Sequence, residues 1–264
     1  ILRCYKEYQF RRIVLPIRHR CQRTQTSFMI RLFLILLILV MCSFLASAQD
    51  EISEVIYSEL DNASSIYATQ DHLFVVESGK HRLLKIDHDG NLLETLGGLG
   101  SGDYQLDTPM DVDATNGLKI YISDYGNNRI QIFDRRFQFL GSITGETTFQ
   151  NRRIKPTQLV VNDFGELFVY VEESRAILKF DENGSYLDSY ELPDMEPTDI
   201  EIMRDRLLIT DQFSNQIAMM TQNGLLGDLF PVVEERSGLI DEVTVGNKKF
   251  SLFSNRLVKV VLND

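Results

Sequence analysis

Matching short apolar runs recur in this chain at a spacing of 47 residues: Leu73-Phe74-Val75-Val76-Glu77, Ile120-Tyr121-Ile122-Ser123-Asp124 and Phe168-Val169-Tyr170-Val171. A unit this short cannot bury apolar side chains on both of its faces alone. Fixed repetition therefore points to units stacked on one another in a line or a ring, not to a mixed α/β domain. Between the runs lie Gly, Asn and Asp turns, and long helical patterns are few, so the chain reads as all-β.

The second unit shows the plan in full. A strand follows Pro109 (Met110 to Ala114), and others are expected over Lys119 to Ser123, Arg129 to Phe133 and Phe137 to Ile143. Four strands with short turns make an antiparallel meander, and Tyr121, Ile122, Ile130, Ile132 and Phe133 give it apolar groups on both faces. Leu83 to Asp87 and Ile177 to Asp181 match Ile130 to Asp134 in the neighbouring units. A fourth unit starts at Pro197 and a fifth at Asp241, the fifth lacking an outer strand. Glu54 to Ser58 can supply it, closing a ring and removing exposed strand edges. The expected architecture is a β-propeller of four-stranded antiparallel blades, five in number, with six as the alternative if an irregular blade is hidden.

The first 48 residues read differently. Residues 1–28 are basic and irregular and are expected to be upstream sequence. Residues 29–48 combine Met29-Ile30-Arg31, an apolar run from Leu32 to Leu45 and Ala46-Ser47-Ala48, the pattern of a signal peptide. The run is short for a membrane span. A secreted or periplasmic protein is expected, with membrane tethering by an uncleaved segment as the alternative. Residues 49–264 would then form a single domain with no membrane span. They carry 19 Lys and Arg against 37 Asp and Glu, a formal charge of −18. Such a surface repels phosphate backbones and excludes nucleic acid as a natural partner. Cys4, Cys21 and Cys42 all precede residue 49, so stability there must come from packing and not disulfides.

Asp124-Tyr125-Gly126-Asn127-Asn128-Arg129-Ile130-Gln131-Ile132-Phe133-Asp134 resembles the NHL repeat, in which an Asp, a short loop with Asn-Arg and an apolar strand follow one another. Glu77 to Arg82 is similar. Asp211 to Gln216 keeps the acid and replaces the Arg, and the third unit has Val171 and Ala176 at those places, with Arg175 one residue early. The resemblance implies a propeller whose acid and Arg brace each hairpin. The family includes binding modules and enzymes, so fold leaves function open.

Candidate sites follow from the expected ring. The loops from Leu96 to Thr108 and Thr144 to Lys155, with the hairpins Tyr125 to Asn128 and Gln212 to Asn215, would open on one face. Tyr125, Asn127, Asn128, Phe149, Arg152, Arg153, Lys155, Gln212 and Phe213 are its candidate ligand-binding residues, the basic trio suiting a carboxylate-bearing ligand. On the inner strands Ser64, Asp111, Gln158, Asp199 and Asp241 fall in one column. If it lines the channel, Asp111, Gln158, Asp199 and Asp241 form an oxygen-rich ring suited to Ca²⁺, and lactonase-type propellers are similar in holding a cation there. Gly97 to Gly102 precedes no helix and is read as a flexible loop, not an anion cradle. Asp87 to Asn91 and Asp181 to Ser185 lack EF-hand spacing and read as hairpin turns. His72, His81 and His88 are placed in turns, and the sequence shows no HExxH or G-x-S-x-G pattern. The leading expectation is an exported, non-catalytic propeller recognising a protein, peptide or glycan. The alternative is a Ca²⁺-dependent lactonase-like hydrolase or lyase.

Overall fold

The computed structural model describes residues 53–115, 117–145, 153–192, 194–211, 213–231 and 239–262, all within one compact unit. The proposed leader segments, 1–28 and 29–48, lie outside them. Strand β1 (Ser53–Ser58) comes first. Blade I is β2 (Ala63–Ala68), β3 (His72–Glu77), β4 (Arg82–Asp87) and β5 (Leu92–Gly97), and blade II is β6 (Pro109–Asp113), β7 (Lys119–Asp124), β8 (Arg129–Asp134) and β9 (Phe139–Thr144). Blade III is β10 (Pro156–Val161), β11 (Leu167–Val171), β12 (Ala176–Phe180) and β13 (Tyr186–Glu191), and blade IV is β14 (Asp199–Met203), β15 (Arg206–Asp211), β16 (Gln216–Thr221) and β17 (Leu226–Pro231). Blade V takes β18 (Leu239–Val245), β19 (Lys248–Phe253) and β20 (Arg256–Val261), with β1 as its outer strand. The molecule is a five-bladed β-propeller of antiparallel meanders.

Burial explains which runs had to be apolar throughout. Second strands are covered on both faces by neighbouring blades, so every position of β11 is buried and only Lys119 of β7 is not. Outer strands meet solvent, and β17 is exposed at every position. Four apolar clusters fill junctions between blades: I with II (Phe74, Val112, Phe133), II with III (Ile132, Leu159, Phe180), III with IV (Phe168, Ile200, Leu207) and V with I (Leu73, Ile86, Phe250). Among the described residues no comparable cluster joins blades IV and V.

Strand β1 pairs antiparallel with β20 from Ser53 opposite Val260 to Ser58 opposite Arg256, a closure made by the two ends of the described chain. It also runs against the β4–β5 turn. A Cβ at Gly90 would sit 1.9 Å from the Ile56 carbonyl oxygen, and Gly90 has φ +90°, so only glycine fits there. Two local expectations are corrected. Phe137 is not in the fourth strand of blade II: it holds φ 57° in the preceding turn, buried beside Phe74. His72 heads strand β3 with its ring edge-on to Phe74, not in a turn.

Candidate functional site

The hairpins of blades I, II and IV are held by their acids. In blade II the fully buried Asp124 accepts from Arg129 Nε at 2.8 Å, Asn127 Nδ2 at 2.9 Å and the Asp107 backbone N–H at 2.7 Å. Glu77 does the same in blade I with Arg82, Lys80 and the Asp61 N–H, and Asp211 in blade IV accepts the Glu196 N–H. Burial pushes the Glu77 carboxyl up, but these partners outweigh it and hold the group below its ordinary range. The acids thus tie hairpins to the linkers entering their own blades, a bracing role for the acid–Arg pair.

Arg129 reaches further, donating from Nη2 to the carbonyls of Gly102 and Gln105 at 2.8 and 3.0 Å. Gln131 Nε2 binds the Gln105 carbonyl at 2.6 Å, and Asn127 Nδ2 that of Gly100 at 2.8 Å. The glycine-rich loop expected to be flexible is therefore pinned to blade II. Asn127 is spent on this bracing. Asn128 occupies the left-handed region at φ 55°, the place His81, Arg175 and Asn215 take in the other hairpins. The Asp–Gly and Asn–Gly turns are likewise structural: Asp87 Oδ1 accepts the Asp89 and Asn91 N–H groups, and Asp181 those of Asn183 and Ser185.

The inner-strand column is real, with one correction. Bulges put Ser65, not Ser64, level with Asp111, since Ile66 pairs with Val75 as Val112 does with Ile122. Asp111 Oδ1 accepts from Ser65 Oγ at 2.6 Å and from the Val112 N–H, while its Oδ2 accepts the Leu159 N–H of blade III at 2.7 Å. Asp241 repeats this across the ring closure, with Oδ2 on the Ile66 N–H at 2.8 Å and Oδ1 on the Glu242 N–H. One tier along, Asp113 Oδ2 takes the Val161 N–H at 3.0 Å. These carboxylates staple β6 to blade III and β18 to blade I. Desolvation pushes Asp111 up to about 7 and Asp113 up to about 6 against the pull of their donors. Asp199 is raised by desolvation and then by the charges of Asp241, Glu201 and Asp111, and Asp241 is raised chiefly by desolvation. Among the described residues no three His, Cys, Asp or Glu side chains stand where they could jointly hold a metal ion.

Blades II, III and IV frame a cleft of about 550 Å³ on the hairpin face, lined by Tyr125, Lys155, Thr157, Gln158, Tyr170, Glu172, Glu173, Arg175, Glu196, Pro197 and Phe213. Its origin is legible in the repeat. The hairpin glycines of blades I and II, Gly79 and Gly126, press on the linker, where a Cβ would lie 2.5 Å from Asp61 Cγ and 2.4 Å from Asp107 Cγ. Blades III and IV have Glu173 and Phe213 at this place, so the side chains stand outward; Phe213 is 84% exposed. Tyr125 Oη donates to Glu172 Oε2 at 2.7 Å, which pushes the phenol up, and the Lys155 ammonium lies 4.6 Å from the Tyr125 ring centroid. Arg175 and Glu196 approach to 3.5 Å, and buried Tyr170 Oη donates to the Met195 carbonyl. Gln158 Oε1 is buried with no hydrogen-bond partner.

Of the sequence candidates, Tyr125, Lys155, Phe213 and Gln158 come together in this cleft. Arg153 is exposed and outside its lining, Asn127 and Asn128 serve the blade II hairpin, and Phe149, Arg152 and Gln212 lie outside the described residues. Sequence reasoning missed Glu172, Glu173, Arg175 and Glu196. The departure of blade III from the repeat, with Val171 and Ala176 in place of the acid and Arg, was the signal that marked them.

Residues 106–133 match the NHL repeat. No curated protein sequence matches the chain significantly. Among solved structures, a streptogramin B lyase superposes with a TM-score of 0.55 over 81% of this chain and 74% of its own, at 14% identity. Selenomethionine-substituted virginiamycin B lyase from Staphylococcus aureus gives 0.53 over 80% and 74%, at 15% identity. At such identities the likeness is one of fold.

Proposed function

From a five-bladed propeller that carries an NHL repeat, we propose an exported binding module that recognises a protein, peptide or glycan through the cleft of blades II, III and IV. The observation that carries this reading is the cleft itself. Three hairpins and their linkers present Tyr125, an exposed phenylalanine and both signs of charge around one concavity. Aromatic rings offer broad contact at small entropic cost, and paired charges around them orient a polar ligand. An 84% exposed Phe213 gains apolar burial only when something covers it. Export is supported by the signal-like residues 29–48 and by the confinement of all cysteines to the first 48 residues. Among the described residues no helix is long and apolar enough to cross a membrane.

Arrays of peptides and oligosaccharides probed with the wild type and with the Tyr125→Ala/Phe213→Ala double variant test the reading. Ligands bound by the wild type should lose about tenfold or more in affinity to the variant, the size expected for two aromatic contacts. Unchanged binding by the variant, or binding to neither array, contradicts it.

A further inference from the structure

The cleft's hydrogen-bond inventory is lopsided. Several of its donors already face acceptors: Tyr125 Oη on Glu172, Tyr170 Oη on the Met195 carbonyl, and Lys155 Nζ on Tyr125, 3.5 Å from the hydroxyl and over the ring. Arg175 faces Glu196. Acceptors remain. Gln158 Oε1 is buried and unpartnered at the inner end of the lining, and the exposed Glu173 carboxylate has no side-chain partner among the described residues. The lining holds three carboxylates against two cations, within residues 49–264 of formal charge −18.

A buried acceptor without a donor costs free energy that a ligand N–H can recover. Excess negative charge rejects an anionic ligand and draws a cationic one. Phe213, largely exposed, offers a ring face over which a guanidinium or ammonium is attracted, whereas Lys155 already sits over the Tyr125 ring. The trio Arg152, Arg153 and Lys155 pointed by sequence to a carboxylate ligand; Lys155 is instead folded onto Tyr125, and Arg153 is outside the lining. Resting on the proposed binding role, we infer that the cleft takes a peptide segment through one Lys or Arg side chain, its stem against Tyr125 and Phe213 and its cationic head toward Gln158 Oε1 and Glu173. The partner is thus a basic segment of another protein.

The experiment uses the full chain and immobilised dodecapeptides varying Lys, Arg, Glu, Leu and Ser at each position, in 0.15 M NaCl. The tightest binder is then made with each Lys as norleucine and each Arg as citrulline. One such replacement should weaken binding about tenfold, as loss of a charge-assisted hydrogen bond does. Glu173→Gln should weaken it about threefold or more, while Glu94→Gln, an equal charge change on the outer strand β5, should leave it unchanged. Peptides lost in Phe213→Ala but indifferent to neutralisation and to Glu173→Gln would overturn the cationic class and leave the cleft as a binding site. Peptides indifferent to Phe213→Ala would overturn both readings. Equal weakening by Glu94→Gln and Glu173→Gln would reduce the preference to overall charge and overturn the assignment to this cleft. Binding of oligosaccharides through the cleft, with no peptide bound, would overturn the peptide alone.

Discussion

Asp124 illustrates how much one buried carboxylate can hold in place. It gathers the hairpin asparagine, Arg129 and the linker amide into one network, and its side chain is 0% exposed. Removing it strands Arg129, which is itself only 11% exposed, so Asp124→Ala should cost about 3 kcal/mol in urea unfolding. Arg175→Ala breaks a pair whose partners are 58% and 66% exposed, and should cost under about 0.5 kcal/mol. Equal costs would refute the distinction between brace and cleft. The brace was legible from the Asp and Asn-Arg of the repeat. The orphaned acceptor of Gln158 was not, because whether an inner-strand amide meets a donor depends on which backbone N–H groups the neighbouring aspartates have already taken.

Among the elements, the inner strands and β1 carry the closure. Inner-strand carboxylates raised in the folded ring bind more protons there than in the unfolded chain between about pH 4 and 7, so stability should fall as pH rises through that window. Below it the sign reverses. Glu77, Glu166 and Asp211 are held low by their partners, and their contribution is lost as they protonate. Thermal unfolding should show maximal stability near pH ~4 and about 2 kcal/mol less at pH ~8, with a flatter slope in Asp111→Asn. A rise from pH 5 to 8 would contradict the staples. Deleting residues 53–58 bares the edge of β20 and should lower Tm by about 5 °C or more and cause self-association in size-exclusion chromatography. An unchanged monomer would contradict ring closure by β1. The borrowed strand was readable because the fifth unit runs short by one strand, whereas the bulges that move Ser65 into the column leave no mark in residue type.

For the molecule as a whole, the fold was legible because blades sandwiched on both sides demand continuous apolar runs at a fixed spacing, and chemistry at the cleft was legible only where the repeat fails. Val171 and Ala176 replace the brace of blade III, and Glu173 and Phe213 replace hairpin glycines. The ring is also uneven. With apolar clusters at four junctions and none between blades IV and V among the described residues, amides of β17 and β18 should exchange hydrogen about tenfold faster than those of β3 and β7. Uniform exchange around the ring would contradict an uneven core. The binding role itself is tested most directly by a crystal structure of the propeller with the tightest ligand from the peptide and oligosaccharide arrays. The account predicts that ligand in the cleft, in contact with Tyr125, Gln158 and Phe213; a ligand seated on the outer strands or on the opposite face of the ring would contradict it.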